Sequence, residues 1–153
     1  MGKDEKERNR KEGDFFPGSQ KRSNSHLLMK REYFYIKAHP LVEAFLIGPK
    51  EKIKVIALID SGADYSLFDW EIGKKLGIEI EKGERVIFSG VSGPPILGYL
   101  HQLPIELGEK TFKCKIVFAK VRRIALFGRN NFFDPFLITF NERNKKFLIE
   151  ENL

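Results

Sequence analysis

The sequence predicts an all-β fold, a small closed β-barrel with one or two short helices, and three observations support that class. The run 55–59 is continuously apolar and ends in a turn signal, which is typical of a buried strand. The segment 112–118 alternates apolar residues with two lysines, as a strand does when one face is buried and the other solvated. Short turn-forming segments separate such runs, which favours antiparallel hairpins.

Composition limits the class of protein. The chain has 153 residues and a hydrophobic fraction of 42%, which suit one domain with a substantial core. No apolar stretch approaches the ~20 residues that span a bilayer, and the charged amino terminus does not look like a secretory signal. Cys114 is the single cysteine, so it cannot form an internal disulfide, and it falls on the apolar face of its strand. We therefore expect a cytoplasmic protein without a membrane partner, with Cys114 in the core rather than acting as a nucleophile.

The formal net charge of +6 raises the question of nucleic-acid binding. Basic and acidic residues are interleaved along the chain, and neither an aromatic–basic RNA-binding signature nor a set of zinc ligands is present. One compact basic cluster comprises Lys120, Arg122 and Arg123, with Lys113 and Lys115 just upstream. We predict that this cluster is a solvated strand face, and we expect no nucleic-acid partner, no metal and no cofactor.

Residues 1–30 are predicted to be a disordered, charged tail, and residues 31–153 the folded domain. Through His26 the tail has only two large apolar residues after Met1, Phe15 and Phe16, too few to offset the entropy of ordering it. The sequence Phe-Phe-Pro-Gly at 15–18 allows a docking or self-cleavage site, but a disordered lead-in is the favoured interpretation.

The domain begins with predicted strands at 33–36 and 41–47, interrupted at His39-Pro40 because proline removes a hydrogen-bond donor. His39 is interpreted as a bend residue rather than a catalytic one. Residues 48–51 form a turn into the buried run that ends at Asp60. Its carboxylate is thus expected at the mouth of the core, where ionisation is costly without hydrogen bonds.

Ser61 and Gly62 follow Asp60 directly and supply a hydroxyl and a sharp turn, an arrangement that favours acid–base chemistry. A short helix is then predicted within 66–78. Asp69 or Ser66 can cap its start, and Gly77 can take the left-handed conformation at its end. The fourfold spacing of residues 68, 72 and 76 predicts its buried face.

Residues 85–100 read as two strands around a glycine-rich tip. Strands at 103–107 and 112–118 follow, then a short helical piece around 130–133. A hairpin with arms at 136–140 and 146–149 ends the domain.

Two motifs resemble a known family. Residues 57–64, Ala-Leu-Ile-Asp-Ser-Gly-Ala-Asp, closely resemble the active-site strand of retropepsin-like aspartic proteases, whose signature is an apolar run followed by Asp-Thr/Ser-Gly-Ala. Residues 124–130, Ile-Ala-Leu-Phe-Gly-Arg-Asn, resemble the family's later apolar-apolar-Gly-Arg-Asn/Asp segment. The two occur in the family's order with the predicted hairpin between them. The resemblance covers roughly residues 33–150 and suggests a member of the bacterial type, many of which have a similar short helix.

The resemblance implies a fold of the retropepsin type and a catalytic role for Asp60. Because the chain has one such motif, it also implies a homodimer in which each subunit supplies one Asp60 and the two carboxylates share a proton. Ser61 stands where the family commonly has threonine and would bond across the twofold axis. The active-site loop also contains Gly62 and Ala63, and Asp64 would form an ion pair with Arg129.

The family places a mobile flap at the tip of the predicted hairpin, where it closes on a bound peptide. The matching residues are Ser89, Gly90, Val91, Ser92 and Gly93. Prolines 94 and 95 are a departure that stiffens one side of the tip.

The function expected from this resemblance is an aspartic endopeptidase that acts on a peptide or protein substrate. The alternative is a catalytically inactive module of the same fold that serves in dimerisation or peptide binding. A basic nucleic-acid binder is a third and less favoured interpretation.

Overall fold

The computed structural model describes residues 28–152. Most of the predicted tail, including the Phe-Phe-Pro-Gly sequence at 15–18, lies outside the described residues. Within them, no helix has the length and apolar character needed to cross a membrane.

The described chain contains ten strands, one α-helix and one 3-10 turn. In chain order they are β1 (Lys30–Phe34), β2 (Leu41–Ile47), β3 (Lys52–Ile59), β4 (Ser66–Asp69), α1 (Trp70–Leu76), the 3-10 turn (Ile80–Lys82), β5 (Glu84–Phe88), β6 (Ile96–Leu107), β7 (Lys110–Ala119), β8 (Ala125–Phe127), β9 (Phe136–Asn141) and β10 (Lys146–Glu151).

A closed barrel forms the centre of the molecule. The strand order β2-β3-β8-β4-β7-β6 closes because the second half of β6 pairs with β2, and β5 extends the sheet from the first half of β6. Most pairs are antiparallel, but β8 runs parallel to β3, and β4 runs parallel to β7. The all-β closed barrel with short helices predicted from the sequence is therefore confirmed.

A second sheet of three antiparallel strands, β1-β10-β9, packs against the barrel. Phe147 and Ile149 of β10 are buried in the same hydrophobic cluster as barrel residues such as Ile105. Charged pairs lie elsewhere on this sheet: Lys30 Nζ is 3.0 Å from a Glu150 oxygen, and Lys146 Nζ is 3.2 Å from one of Glu32. The two sheets therefore share one core.

Phenylalanines fill much of that core, as the 14 in the sequence suggest. The rings of Phe127 and Phe132 stack with their centroids 4.1 Å apart, and the Phe68 ring meets Phe127 edge-on at 5.4 Å. All three side chains are fully buried. Such offset and edge contacts add to the hydrophobic stabilisation that burial alone provides.

The predicted helix is present but shorter than expected. Asp69 caps it by accepting a hydrogen bond from the Glu71 N–H (3.1 Å), and Gly77, with φ of 82°, ends it. Residues 66–69 form β4 instead, because each pairs with a residue of β7. Phe68 therefore lies on a strand, and its place on the helix face was predicted wrongly. Ser66 does not cap the helix.

Two other local predictions are wrong. Residues 130–133 form turns rather than a helix, since Asn131 has a positive φ of 63° and the Asp134 carboxylate accepts its N–H. The first strand ends at Phe34 rather than at residue 36. It is followed by a tight turn through Lys37 and Ala38, which both have a positive φ.

The basic cluster differs from its prediction as well. Lys113 and Lys115 are exposed on β7 as expected, but β7 ends at Ala119. Lys120, Arg122 and Arg123 lie in the loop between β7 and β8, so they are not part of a strand face.

Cys114 is fully buried, which confirms its assignment to the core. Burial raises the pKa of its thiol to about 12, an effect that a hydrogen bond with Ser66 partly opposes. The thiolate, which is the nucleophilic form, is therefore strongly disfavoured in the folded protein.

Because the Cys114 thiol is buried, we predict that the folded protein loses stability at alkaline pH. The pKa of this thiol in the folded protein lies above its ordinary value of 9.0. Burial of the neutral thiol therefore costs no stability below pH 9, but stability falls as the pH rises from 9 toward 12, because the unfolded chain loses the proton first. Above about pH 9.5, we expect the free energy of unfolding to fall by up to about 1.4 kcal/mol more per pH unit in the wild type than in Cys114→Ala. Urea unfolding of both proteins at several pH values measures this difference, and equal slopes would contradict it.

Candidate active site

Asp60 lies where two parallel strands end side by side. Residues 58 and 59 of β3 pair with residues 126 and 127 of β8. One residue further on, the backbone N–H of Asp60 donates to the carbonyl oxygen of Phe127 (3.0 Å). Ile59 and Phe127 are buried, whereas Asp60 is half-buried, so its side chain emerges at the edge of the core.

The chain turns immediately after Asp60. The N–H of Gly62 donates to Asp60 Oδ1 (2.9 Å), and the N–H of Ala63 donates to the Asp60 carbonyl oxygen (3.3 Å). The first of these bonds orients the Asp60 carboxylate within the turn. Ser61 and Gly62 are exposed, so this side of the loop faces solvent.

A second chain segment holds the loop from the other side. The N–H groups of Arg129 and Asn130 donate to the carbonyl oxygens of Ala63 and Asp64, each at 2.8 Å. The Arg129 guanidinium also donates to the Asp64 carboxylate, the contact that the family resemblance implies. Both side chains are more than half exposed (58% and 68%). An exposed ion pair contributes only about 0–1 kcal/mol, so the backbone bonds are the stronger constraint.

Ser66 and Gly128, which the sequence analysis did not assign to the site, hold residues 127–130 close to the chain that follows the Asp60 loop. Ser66 is fully buried, and its hydroxyl oxygen accepts a hydrogen bond from the Gly128 N–H (3.1 Å). A Cβ atom on Gly128 would lie 2.4 Å from the carbonyl oxygen of Tyr65, closer than any side chain can approach. From the sequence, Gly128 was named only as part of the second motif, and Ser66 only as one of two candidate caps of the helix.

The predicted flap is a hairpin formed by β5 and β6. Glu84 pairs with Leu100 at its base, and Phe88 pairs with Ile96 next to its tip. Its tip, residues 89–95, contains the five predicted flap residues, and all five are exposed. Gly93 has a positive φ of 103°, which glycine adopts without strain, and Val91 at the tip is fully exposed.

A second hydrophobic cluster lies between the arms of this hairpin and the strands next to Asp60. Its buried members are Leu67, Val117, Ala119 and Val121, and its half-buried members include Tyr65, Val86, Phe88, Ile96, Leu100 and Leu126. The sequence analysis assigned β7 one buried face, but its carboxyl end is buried on both. The cluster gives the region between hairpin and loop an apolar surface.

Other acidic groups have structural partners. The Asp69 carboxylate caps α1, and the Asp134 carboxylate accepts the Asn131 N–H (3.1 Å). Among residues 28–152, no three histidine, cysteine or acidic side chains are grouped so that they could hold a metal ion.

Comparison with established protein families and with curated protein sequences finds no match. Among solved structures, a retropepsin-like aspartic protease from Rickettsia conorii aligns with a TM-score of 0.64, covering 82% of this chain and 92% of that one at 18% identity. The chain has a retropepsin-like fold. An EIAV protease with a bound inhibitor aligns with a TM-score of 0.46 and 16% identity, over 63% of this chain and 88% of that one. At 18% identity, the likeness to the Rickettsia conorii protein lies in the fold rather than in the overall sequence.

Because Gly128 lies so close to the backbone of Tyr65, adding a single methyl group at this position should lower the stability of the protein strongly. We expect Gly128→Ala to destabilise the protein by about 2–3 kcal/mol, because the added Cβ would clash with rigid backbone. Gly90→Ala is the matched control, since its Cβ would meet nothing closer than 3.6 Å. That variant should stay within about 0.5 kcal/mol of the wild type in urea unfolding. Equal stability of the two variants would contradict this view of the loop.

Proposed function

We propose that this protein is an aspartic endopeptidase that acts as a homodimer, with Asp60 of each subunit forming the catalytic pair. The observation that carries the proposal is the position of Asp60: it ends a buried strand, in a loop that backbone hydrogen bonds hold to residues 127–130. The hairpin 84–100 and its apolar cluster lie beside that loop.

Two such carboxylates facing each other can activate water. At ~3 Å and an effective dielectric constant near 20, two ionised carboxylates repel by about 5 kcal/mol, so the pair retains one proton. The ionised member takes a proton from the attacking water, while the protonated member donates a hydrogen bond to the scissile carbonyl. The member that took the proton from water then gives it to the leaving nitrogen as the carbon–nitrogen bond breaks, so the pair again holds one proton.

The requirement for two carboxylates supports a dimer. The chain has one Asp-Ser-Gly sequence, and the other aspartates of this region have structural partners: Asp64 pairs with Arg129, Asp69 caps α1 and Asp134 caps the turn 131–134. Exposure of Ser61 and Gly62 leaves this side of the loop accessible to a second copy. A twofold axis beside the loop would bring the two Asp60 side chains together.

The substrate we infer is an extended peptide bound between the hairpin and the Asp60 loop. Extended peptides pair through their backbones and place alternate side chains in pockets. The second hydrophobic cluster supplies apolar surface there, which favours apolar side chains next to the scissile bond.

A peptide-library digest across a range of pH tests the proposal. The wild type should cut peptides best at about pH 4–6, where a shared proton is retained, and Asp60→Asn should lose at least about 1000-fold in activity while its fold and dimer persist. Asp134→Asn makes the same chemical change outside the site and should stay within about twofold of the wild type.

Cleavage retained by Asp60→Asn would contradict the assignment of Asp60. If the wild type binds peptides and forms dimers but cuts none, the alternative of an inactive peptide-binding module replaces the protease.

A further inference from the structure

A positively charged groove lies between the start of α1 and the loop that joins β7 to β8. Its volume is about 640 Å³. The groove is lined by Asp69, Trp70, Glu71, Lys74, Lys120, Val121, Arg122 and Arg123. Four of these side chains are cations and two are carboxylates.

Both carboxylates already have partners. Asp69 accepts the N–H of Glu71, and Glu71 lies 3.4 Å from Lys74 Nζ. The Lys120 ammonium lies 5.2 Å from the centre of the Trp70 ring, a cation–π contact that leaves its charge uncompensated. Arg122 and Arg123 are exposed, and neither forms an ion pair within residues 28–152. The groove therefore has an excess of positive charge.

The groove borders the proposed peptide site. Val121 lines the groove and is also a buried member of the second hydrophobic cluster, which the hairpin arms cover. Arg123 precedes Phe127 by four residues, so at full extension their Cα atoms are at most ~14 Å apart. Phe127 accepts the N–H of Asp60. In an extended peptide, that distance corresponds to about four residues.

We propose that this groove binds an acidic side chain of the substrate, three or four residues from the scissile bond. The inference rests on the proposed endopeptidase function and specifies its substrate class. Arginine suits this role because its planar fork donates two hydrogen bonds to one carboxylate. Twofold symmetry would place one groove on each side of the scissile bond.

Matched peptides and variants test this inference. An extended peptide with apolar residues on both sides of its central bond is prepared with glutamate, or with glutamine, at the third and fourth positions from that bond. The double variant Arg122→Gln/Arg123→Asn removes both guanidinium groups, and asparagine tolerates the positive φ of 61° at position 123. Arg143→Gln, at an exposed arginine of the β9–β10 turn, is the control.

For the wild type and the control, we expect the glutamate peptide to have a KM about fivefold lower than the glutamine peptide, with kcat nearly unchanged. The difference should shrink at high salt and disappear in the double variant. The inference is overturned if the wild type shows no preference, or if the double variant keeps it.

Binding measurements separate this inference from the proposed activity. Fluorescence anisotropy with Asp60→Asn protein, with and without the two arginine substitutions, measures affinity for the same peptides and for a single-stranded RNA oligonucleotide. Preference for the glutamate peptide that depends on the two arginines supports the groove inference, even if the wild type cuts no peptide. Absence of cleavage would refute only the endopeptidase proposal. If the two arginines instead make the RNA bind more tightly than either peptide, the groove inference is overturned.

Discussion

The position of the Asp60 carboxylate depends on backbone hydrogen bonds between two chain segments that are distant in sequence. Residues 60–64 form the loop, and residues 127–130 hold it through three N–H to carbonyl bonds of 2.8–3.0 Å. Each such bond contributes about 1 kcal/mol net, but leaving the same groups buried and unpaired costs more. The exposed pair of Asp64 and Arg129 adds less than these bonds.

The same constraint accounts for the residues around the loop. Gly128 brings its backbone against Tyr65 because it has no side chain, and the buried Ser66 hydroxyl accepts its N–H. Ser66 in turn belongs to β4, which pairs with β7 inside the barrel. A polar side chain is tolerated at this buried position because its hydrogen bond is made. The barrel therefore positions the carboxylate through strand pairing, and the acidic side chain itself adds one bond, in which Asp60 Oδ1 accepts the Gly62 N–H.

Strand β7 connects the core to the proposed peptide site. Phe118 packs in the main core, whereas its neighbours Val117 and Ala119 belong to the cluster beneath the hairpin. Loss of packing on either face would thus affect the other. The loop that follows β7 contains the arginines of the charged groove, so a single element supports both the apolar and the charged parts of the proposed binding surface.

Local signals in the sequence were sufficient for the elements that depend on local chemistry. The strand 41–47, the cap at Asp69, the stop at Gly77 and the hairpins could all be predicted, because alternation, capping and turn residues act over a few positions. The role of Ser66 could not, since it depends on pairing with β7 and on a bond to Gly128. The turn at Asn131 was predicted as a helix because neither its positive φ nor the bond from its N–H to the Asp134 carboxylate shows in the apolar pattern.

The central claim is that catalysis needs one Asp60 from each of two subunits, and subunit mixing tests it most directly. Wild type and Asp60→Asn are unfolded together, refolded at a constant total concentration and assayed as the wild-type fraction is varied. With random pairing, only wild-type homodimers hold two carboxylates, so activity should follow the square of that fraction and fall to about a quarter at equal amounts. Activity that falls in simple proportion, to about half, would show that each subunit acts alone and would contradict the account.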